Sequence, residues 1–163
     1  MNRKGKTTNV VFSGLGGQGI LTASDILADA AFRAGLDVKK SEIHGMSQRG
    51  GSVTSDVRFG EKVFSPMVPM GEADFLVVLD STQVECSQPY LRPEGVLILC
   101  DRIDLSKLKN RKALNVSLLG ALSAYLELDG RFWKEAICAN LPEKLHAVNF
   151  DAFEVGRAAL LDV

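Results

Sequence analysis

Apolar positions recur along this chain with changing periods, and the changes fall at its glycines and prolines. Val10–Phe12 is a short apolar run that predicts a buried first strand. From Ile20 the apolar residues recur at Ile20, Ala23, Leu27, Ala30 and Ala34, one stripe of a helix. Thr22, Asp25, Asp29 and Arg33 take the other side, and Gly35 is placed to stop it. Leu36–Ile43 predicts a second strand, with Lys39, Lys40 and Glu42 too polar for the middle of a sheet. Val53, Ser55, Val57 and Phe59 then alternate with Thr54, Asp56 and Arg58, a half-exposed strand. Gly60-Glu61 predicts a hairpin turn into Lys62–Ser65, and Pro66 and Pro69 mark an irregular connection. Phe75–Leu79 and Val96–Cys100 are continuous apolar runs between breakers, the pattern of buried central strands.

The last third reads as helical. Leu118, Leu122, Tyr125 and Leu126 form one stripe, stopped by Asp129-Gly130. Phe132, Trp133, Ala136 and Ile137 form a second, with Trp133 in the core. After Pro142, a third runs through Leu145, Val148, Ala152, Val155 and Ala159. Strands interleaved with helices predict an α/β fold: a single three-layer α/β/α Rossmann-like domain over residues 1–163, its sheet mixed by the hairpin.

Composition narrows the function. Hydrophobic residues make up 46% and charged residues 24%, as in ordinary globular proteins, and the formal net charge of −1 gives no footprint for nucleic acid. No run of about 18 apolar residues predicts a membrane span. The opening residues lack the apolar segment of a signal peptide, so a cytoplasmic location is expected. Cys86, Cys100 and Cys138 are scattered, with no CxxC pair to hold zinc or an iron–sulfur cluster. No metal site is expected. Met46, Met67 and Met70 sit in polar or proline-rich loops, filling them or packing on a partner.

Chemistry is concentrated in two loops. Gly14-Leu15-Gly16-Gly17-Gln18-Gly19 follows the first strand and opens the first helix, matching GxGxxG in its proper setting. Glycines let an anion approach the backbone, and unpaired N–H groups of the helix aim at the same point. Half a unit charge there attracts a unit charge ~4 Å away by roughly 2 kcal/mol at an effective dielectric near 20, before desolvation. The loop alone therefore binds weakly, and a useful site needs a cation or a second wall. A dinucleotide site would also want an acidic residue about 20 positions on, where Glu42 is the candidate. A tight structural turn is the simpler alternative. The second loop, His44–Gly51 (HGMSQRGG), can supply the wall. Arg49 offers a planar fork for phosphate or carboxylate, Ser47 and Gln48 add neutral donors, and Gly50-Gly51 permits a sharp bend. His44 is of a residue type that can move a proton near neutrality, or is simply held by a backbone carbonyl. Asp80 and Asp101 end the two apolar strands, where either a ligand contact or a helix cap fits.

Two stretches, GLGGQGILTAS and SEIHGMSQRGGSVTSDVRFGEKVFSP, together resemble the gamma-type subunit of 2-oxoacid:ferredoxin oxidoreductases. HGMSQRGG is most like the small (beta) subunit of indolepyruvate:ferredoxin oxidoreductase. The likeness continues through GEADFLVVLD, NVSLLGA and NFDAFEVG, nearly the whole chain. The resemblance implies the fold of the gamma domain of pyruvate:ferredoxin oxidoreductase. It implies a holoenzyme that decarboxylates a 2-oxo acid on thiamine diphosphate, passes electrons through iron–sulfur clusters to ferredoxin, and releases a coenzyme A thioester. This chain has no Gly-Asp-Gly of a thiamine diphosphate site, so a large thiamine- and cluster-bearing subunit would be its partner. Isolated copies could self-associate. The implied role is auxiliary, with no catalytic residue. Gly14, Gly16, Gly17, Gln18 and Gly19, with His44, Ser47, Gln48, Arg49, Gly50 and Gly51, would form a face toward coenzyme A or the partner. Two other readings stay open: a free-standing NAD-like nucleotide-binding domain, and an assembly module without a ligand.

Overall fold

Residues 5–45 and 51–161 are described by the computed structural model. Its sheet has five strands in the order β2-β3-β1-β4-β5: β1 (Thr8–Leu15), β2 (Asp37–His44), β3 (Ser52–Gly60), β4 (Ala73–Val78) and β5 (Leu91–Leu99). β1 lies parallel to β4 and β4 to β5, whereas β3 is antiparallel to both β1 and β2. The sheet is mixed, as expected, but its hairpin lies elsewhere. β2 and β3 are its arms, and Lys62–Ser65 is not a strand. Gly60 ends β3 against the backbone of Lys6 and Thr7. Polar β2 takes the edge, where Lys39 and Lys40 reach water.

The opposite edge corrects a second expectation. β5, with the apolar run Val96–Cys100, pairs only with β4, and only its Ile98 is fully buried. Cover from helices on its face, not a central position, explains its apolar content.

Four helices cover one face: α1 (Ile20–Arg33), α3 (Leu114–Ser123), α4 (Gly130–Asn140) and α5 (His146–Leu161). Beneath them lie Val10, Phe12, Val57, Val77 and Ile98 of the sheet. Val11, Leu76 and Val78 point the other way, under Val68 from segment 61–72, Val84 from the one-turn α2 (Val84–Ser87) and Tyr90 from the 3-10 turn after it (Gln88–Tyr90). The second outer layer is thus thin. α1 ends as its glycine predicts: Gly35, at φ +85°, donates to Phe32 O while Leu36 donates to Ala31 O.

α3 departs from its predicted stripe. Every residue from Asn115 to Ser123 is buried, because sheet and α5 enclose it. Its crossing with α5 is made by two glycines. A Cβ on Gly120 would lie 1.9 Å from Phe153 O, and one on Gly156 would lie 1.6 Å from Ser117 O.

Asp56 was expected at the surface and is 3% exposed. Its Oδ2 accepts the Val68 N–H at 2.9 Å, while Arg58 donates to Ser65 O at 2.8 Å, so β3 holds the loop that covers this face. Burial pushes the Asp56 carboxyl up, against the Val68 N–H and Arg58, which pull it down. The folded chain therefore keeps this proton to a higher pH than the unfolded chain. Between the two values the native state binds more protons, so this group's contribution to stability falls as pH rises. Asp56→Asn removes that slope. In parallel thermal melts, the variant's Tm minus that of the wild type should increase from about pH 4 to about pH 7. A difference that stays constant would contradict the assignment.

Candidate functional site at the ends of β1 and β4

β1 feeds through α1 toward β2 on one side, while β4 lies parallel to it on the other. Such a divergence opens a crevice beyond the carboxyl ends of the strands. The glycine loop occupies it. Gly16 and Gly17 are exposed, Gly17 and Gly19 have φ of +90° and +82°, and Gly19 caps α1 with no side-chain bond. The first-turn N–H groups of α1 therefore face the crevice without intrahelical acceptors. Gly14 is buried, and a Cβ there would lie 2.6 Å from Ile20 Cδ1.

The described ends of both loops meet. Gly16 N–H donates to Gly51 O at 2.9 Å, and Gly45 N–H donates to Ser52 O at 2.6 Å across the base of the hairpin. His44 ends β2, exposed, with Nε2 3.9 Å from Glu42 Oε2. Ser47, Gln48, Arg49 and Gly50, with Met46, lie outside the described residues.

Gln18 faces inward along the loop. Its Oε1 accepts the Leu15 N–H at 2.8 Å, and its Nε2 donates to Asp80 Oδ2 at 2.9 Å. Asp80, just past β4, also caps the one-turn segment Ser81–Gln83: its Oδ1 accepts from the Thr82 N–H at 3.0 Å and from the Thr82 hydroxyl at 2.5 Å. The Thr82 hydroxyl and N–H, helped by Gln18, hold the Asp80 carboxyl below the usual carboxylate range. Gln83 extends the chain of bonds. Its Nε2 donates to Thr82 Oγ1 at 3.3 Å, and its Oε1 accepts from Ser52 Oγ at 2.7 Å. Of the two roles considered for Asp80, the structure forms the cap, and the same carboxylate also holds the glycine loop through Gln18. Asp101 is exposed beyond β5, where Cys100 is half-buried, its thiol pushed up by burial and then by Asp101 and Asp80.

Sequence reading did not connect Thr82, Gln83, Ser52 or Asn115 with the glycine loop. Asn115 Nδ2 donates to Gly19 O at 3.2 Å and would sit 2.4 Å from a Cβ at Gly19. The Asp-Ser-Thr run after an apolar strand carries a capping signal that could have drawn attention to Thr82. Nothing local marks Asn115, 96 residues from its partner.

Electrostatically the mouth is mixed. The α1 N-terminus favours an anion, but the ionised Asp80 beside the loop opposes one. At a common dielectric a full charge ~8 Å away cancels half a charge at ~4 Å. A phosphate here therefore requires a cation from beyond these residues. Among the described residues, no group of three or more His, Cys, Asp or Glu is placed to hold a metal ion. No described helix is long and apolar enough to cross a membrane.

The family model for pyruvate ferredoxin/flavodoxin oxidoreductase matches residues 9–159. The indolepyruvate oxidoreductase subunit IorB of Thermococcus kodakarensis is 36% identical, over 93% of this chain and 95% of that protein. The gamma subunit of a keto/oxoacid ferredoxin oxidoreductase from Geobacter sulfurreducens superposes with a TM-score of 0.82 at 24% identity, covering 96% of this chain and 98% of that one. The 2-oxoglutarate:ferredoxin oxidoreductase of Magnetococcus marinus, solved with 2-oxoglutarate, coenzyme A and succinyl-CoA bound, also gives 0.82. At 20% identity it matches 98% of this chain but 32% of its own longer chain.

Proposed function

We propose the following role for this chain, which belongs to the pyruvate ferredoxin/flavodoxin oxidoreductase family. It is the small, auxiliary subunit of a 2-oxoacid:ferredoxin oxidoreductase, of the indolepyruvate type. The end-to-end match to an indolepyruvate oxidoreductase subunit carries this reading. A larger partner subunit holds the thiamine diphosphate and the iron–sulfur clusters. Thiamine diphosphate supplies the decarboxylation chemistry when bound there. This chain contributes a shaped wall: the glycine loop and hairpin base, joined through Gly16 and Gly51, line the inter-subunit cleft.

Coenzyme A fits that wall with one condition. The uncapped start of α1 offers N–H donors to a phosphate, while ionised Asp80 opposes it, so Arg49 has to supply the positive charge. A second reading, that the face docks dry against the partner, is favoured by the same Asp80 charge.

Co-expression with the large subunit of the same enzyme tests the assembly. Ferredoxin reduction by aryl pyruvates should require both chains, and either chain alone should be inactive. Turnover by the large subunit alone at the full rate would remove the auxiliary role. In the assembled enzyme, Arg49→Ala should raise the KM for coenzyme A about tenfold with little change in kcat, the scale of one lost charge-assisted bond. An unchanged KM with weakened assembly would instead establish the docking reading.

A further inference from the structure

We infer that Asp80 is a positioning residue for the glycine loop, and that its bonds through Thr82 and Gln83 to Ser52 make that loop and the hairpin base a single rigid wall. The inference rests on the proposed auxiliary role only for what the wall contacts; the wiring stands on geometry. Donors and acceptors admit one arrangement. The Leu15 N–H requires an acceptor, which fixes Gln18 Oε1 toward it and turns Gln18 Nε2 toward Asp80. Asp80 then faces donors with both oxygens: Gln18 at Oδ2, the Thr82 N–H and hydroxyl at Oδ1. An ionised carboxylate, acceptor-only at both oxygens, meets all three donors without a proton of its own to place.

The Thr82 hydroxyl, having donated to Asp80, is free to accept from Gln83 Nε2, which orients Gln83 Oε1 toward the Ser52 hydroxyl. Every link is thus set by the one before it. Gln83 is 9% exposed, so its amide has little water to exchange partners with. The far end, Ser52, directly follows Gly51, whose carbonyl already receives the Gly16 N–H. Two routes therefore join the same two loops, one through backbone and one through side chains. Gln18, counted in sequence as a ligand contact, spends both ends of its amide inside the wall.

The wiring can be broken and rebuilt. In Asp80→Asn the side-chain NH2 must face either Gln18 Nε2 or the Thr82 N–H, and flipping Gln18 only moves the conflict to Leu15. In Gln18→Glu two carboxylate oxygens confront each other. In the double variant Gln18→Glu/Asp80→Asn, the carboxylate introduced at position 18 accepts both from the Leu15 N–H and from the amide introduced at position 80. The oxygen of that amide still accepts from Thr82. The pattern is restored with the charge moved across one bond.

The four proteins, assembled with the large subunit, are compared by hydrogen exchange at Leu15 and Gly16 and by steady-state kinetics in coenzyme A. Each single variant should exchange these amides about tenfold faster or more and raise the KM for coenzyme A, with a smaller effect on kcat. The double variant should return both to within about threefold of wild type. If a single variant fails to assemble, recovery of assembly in the double counts as the same support. A double variant no better than the worse single overturns the inference. Protection from exchange that is lost in the singles and recovered in the double while the KM for coenzyme A never moves supports the wiring and rejects coenzyme A as what the wall contacts.

Discussion

Gly156→Ala is expected to destabilise this chain by about 4 kcal/mol, beyond the ordinary range for a single added methyl group. The reason is where the methyl would go. It would lie 1.6 Å from Ser117 O, a backbone atom in the middle of α3, so no rotamer change can relieve the overlap. α3 cannot retreat, because it is buried from Asn115 to Ser123 between the sheet and α5. The crossing is reciprocal: a Cβ on Gly120 of α3 would lie 1.9 Å from Phe153 O of α5. Alanine at either position must push the helices apart along their whole contact, opening the packing of Leu118, Leu119, Leu122 and Phe153. For a domain of this size the loss corresponds to a fall in Tm of about 10 °C or more. Gly130→Ala is the control. It opens α4, has nothing within 4 Å of the added atom, and should melt within about 2 °C of wild type. A Gly156→Ala protein melting with that control would mean that the helices do not cross where described.

That crossing also shows what kind of information the sequence held. NVSLLGA and NFDAFEVG were legible as shared wording, yet nothing in either string says that they touch. Glycine inside a helical pattern reads as a local weakness, whereas here it is the only residue that fits between two backbones. Where a local pattern decides the outcome, it was readable: the stripe of α1, its stop at Gly35, and Trp133 inside α4. Where the decision is made by a distant partner, it was not. The run Val96–Cys100 looks the same whether its strand is central or at an edge, since the helices over its face demand apolar residues in both cases. Asp56 sits at an outward position by strict alternation, but segment 61–72 folds over that face and buries it. The hairpin falls one connection earlier than expected because Gly60-Glu61 at the end of β3 resembles a turn, while the antiparallel arms are β2 and β3, on either side of the chemistry-rich residues 45–51.

The site follows the same division. Its glycines and its setting at a strand–helix junction were visible, because both are local. The Asp80 network was not, since Gln18 and Asp80 are 62 positions apart and Ser52 and Gln83 are 31 apart. The charge it brings to the mouth opposes the attraction for an anion that the glycine loop and α1 suggest by themselves. Under the proposed role, an anion would be held by the assembled enzyme with Arg49, and the glycine loop would set shape.

Trp133→Ala is the second large expected loss, about 3–5 kcal/mol, the usual range for emptying a buried indole site. Trp133 is 1% exposed and locks α4 into the core, with its ring centroid 5.5 Å from that of Phe153. Phe153 in turn belongs to the α3–α5 crossing, so the cavity would open beside the close approach of those two helices. Trp133→Phe separates packing from polarity. The indole N–H is buried with no acceptor among the described residues, and leaving such a donor unpaired costs about 1–3 kcal/mol. Phenylalanine removes that donor while keeping most of the ring, so the smaller volume and the lost penalty offset each other and the net change should stay under about 1.5 kcal/mol. Thermal melts followed by circular dichroism rank the three proteins without relying on the indole. Equal losses for the phenylalanine and alanine variants would show that the N–H carries a hydrogen bond, and that α4 is held by polarity more than by fit.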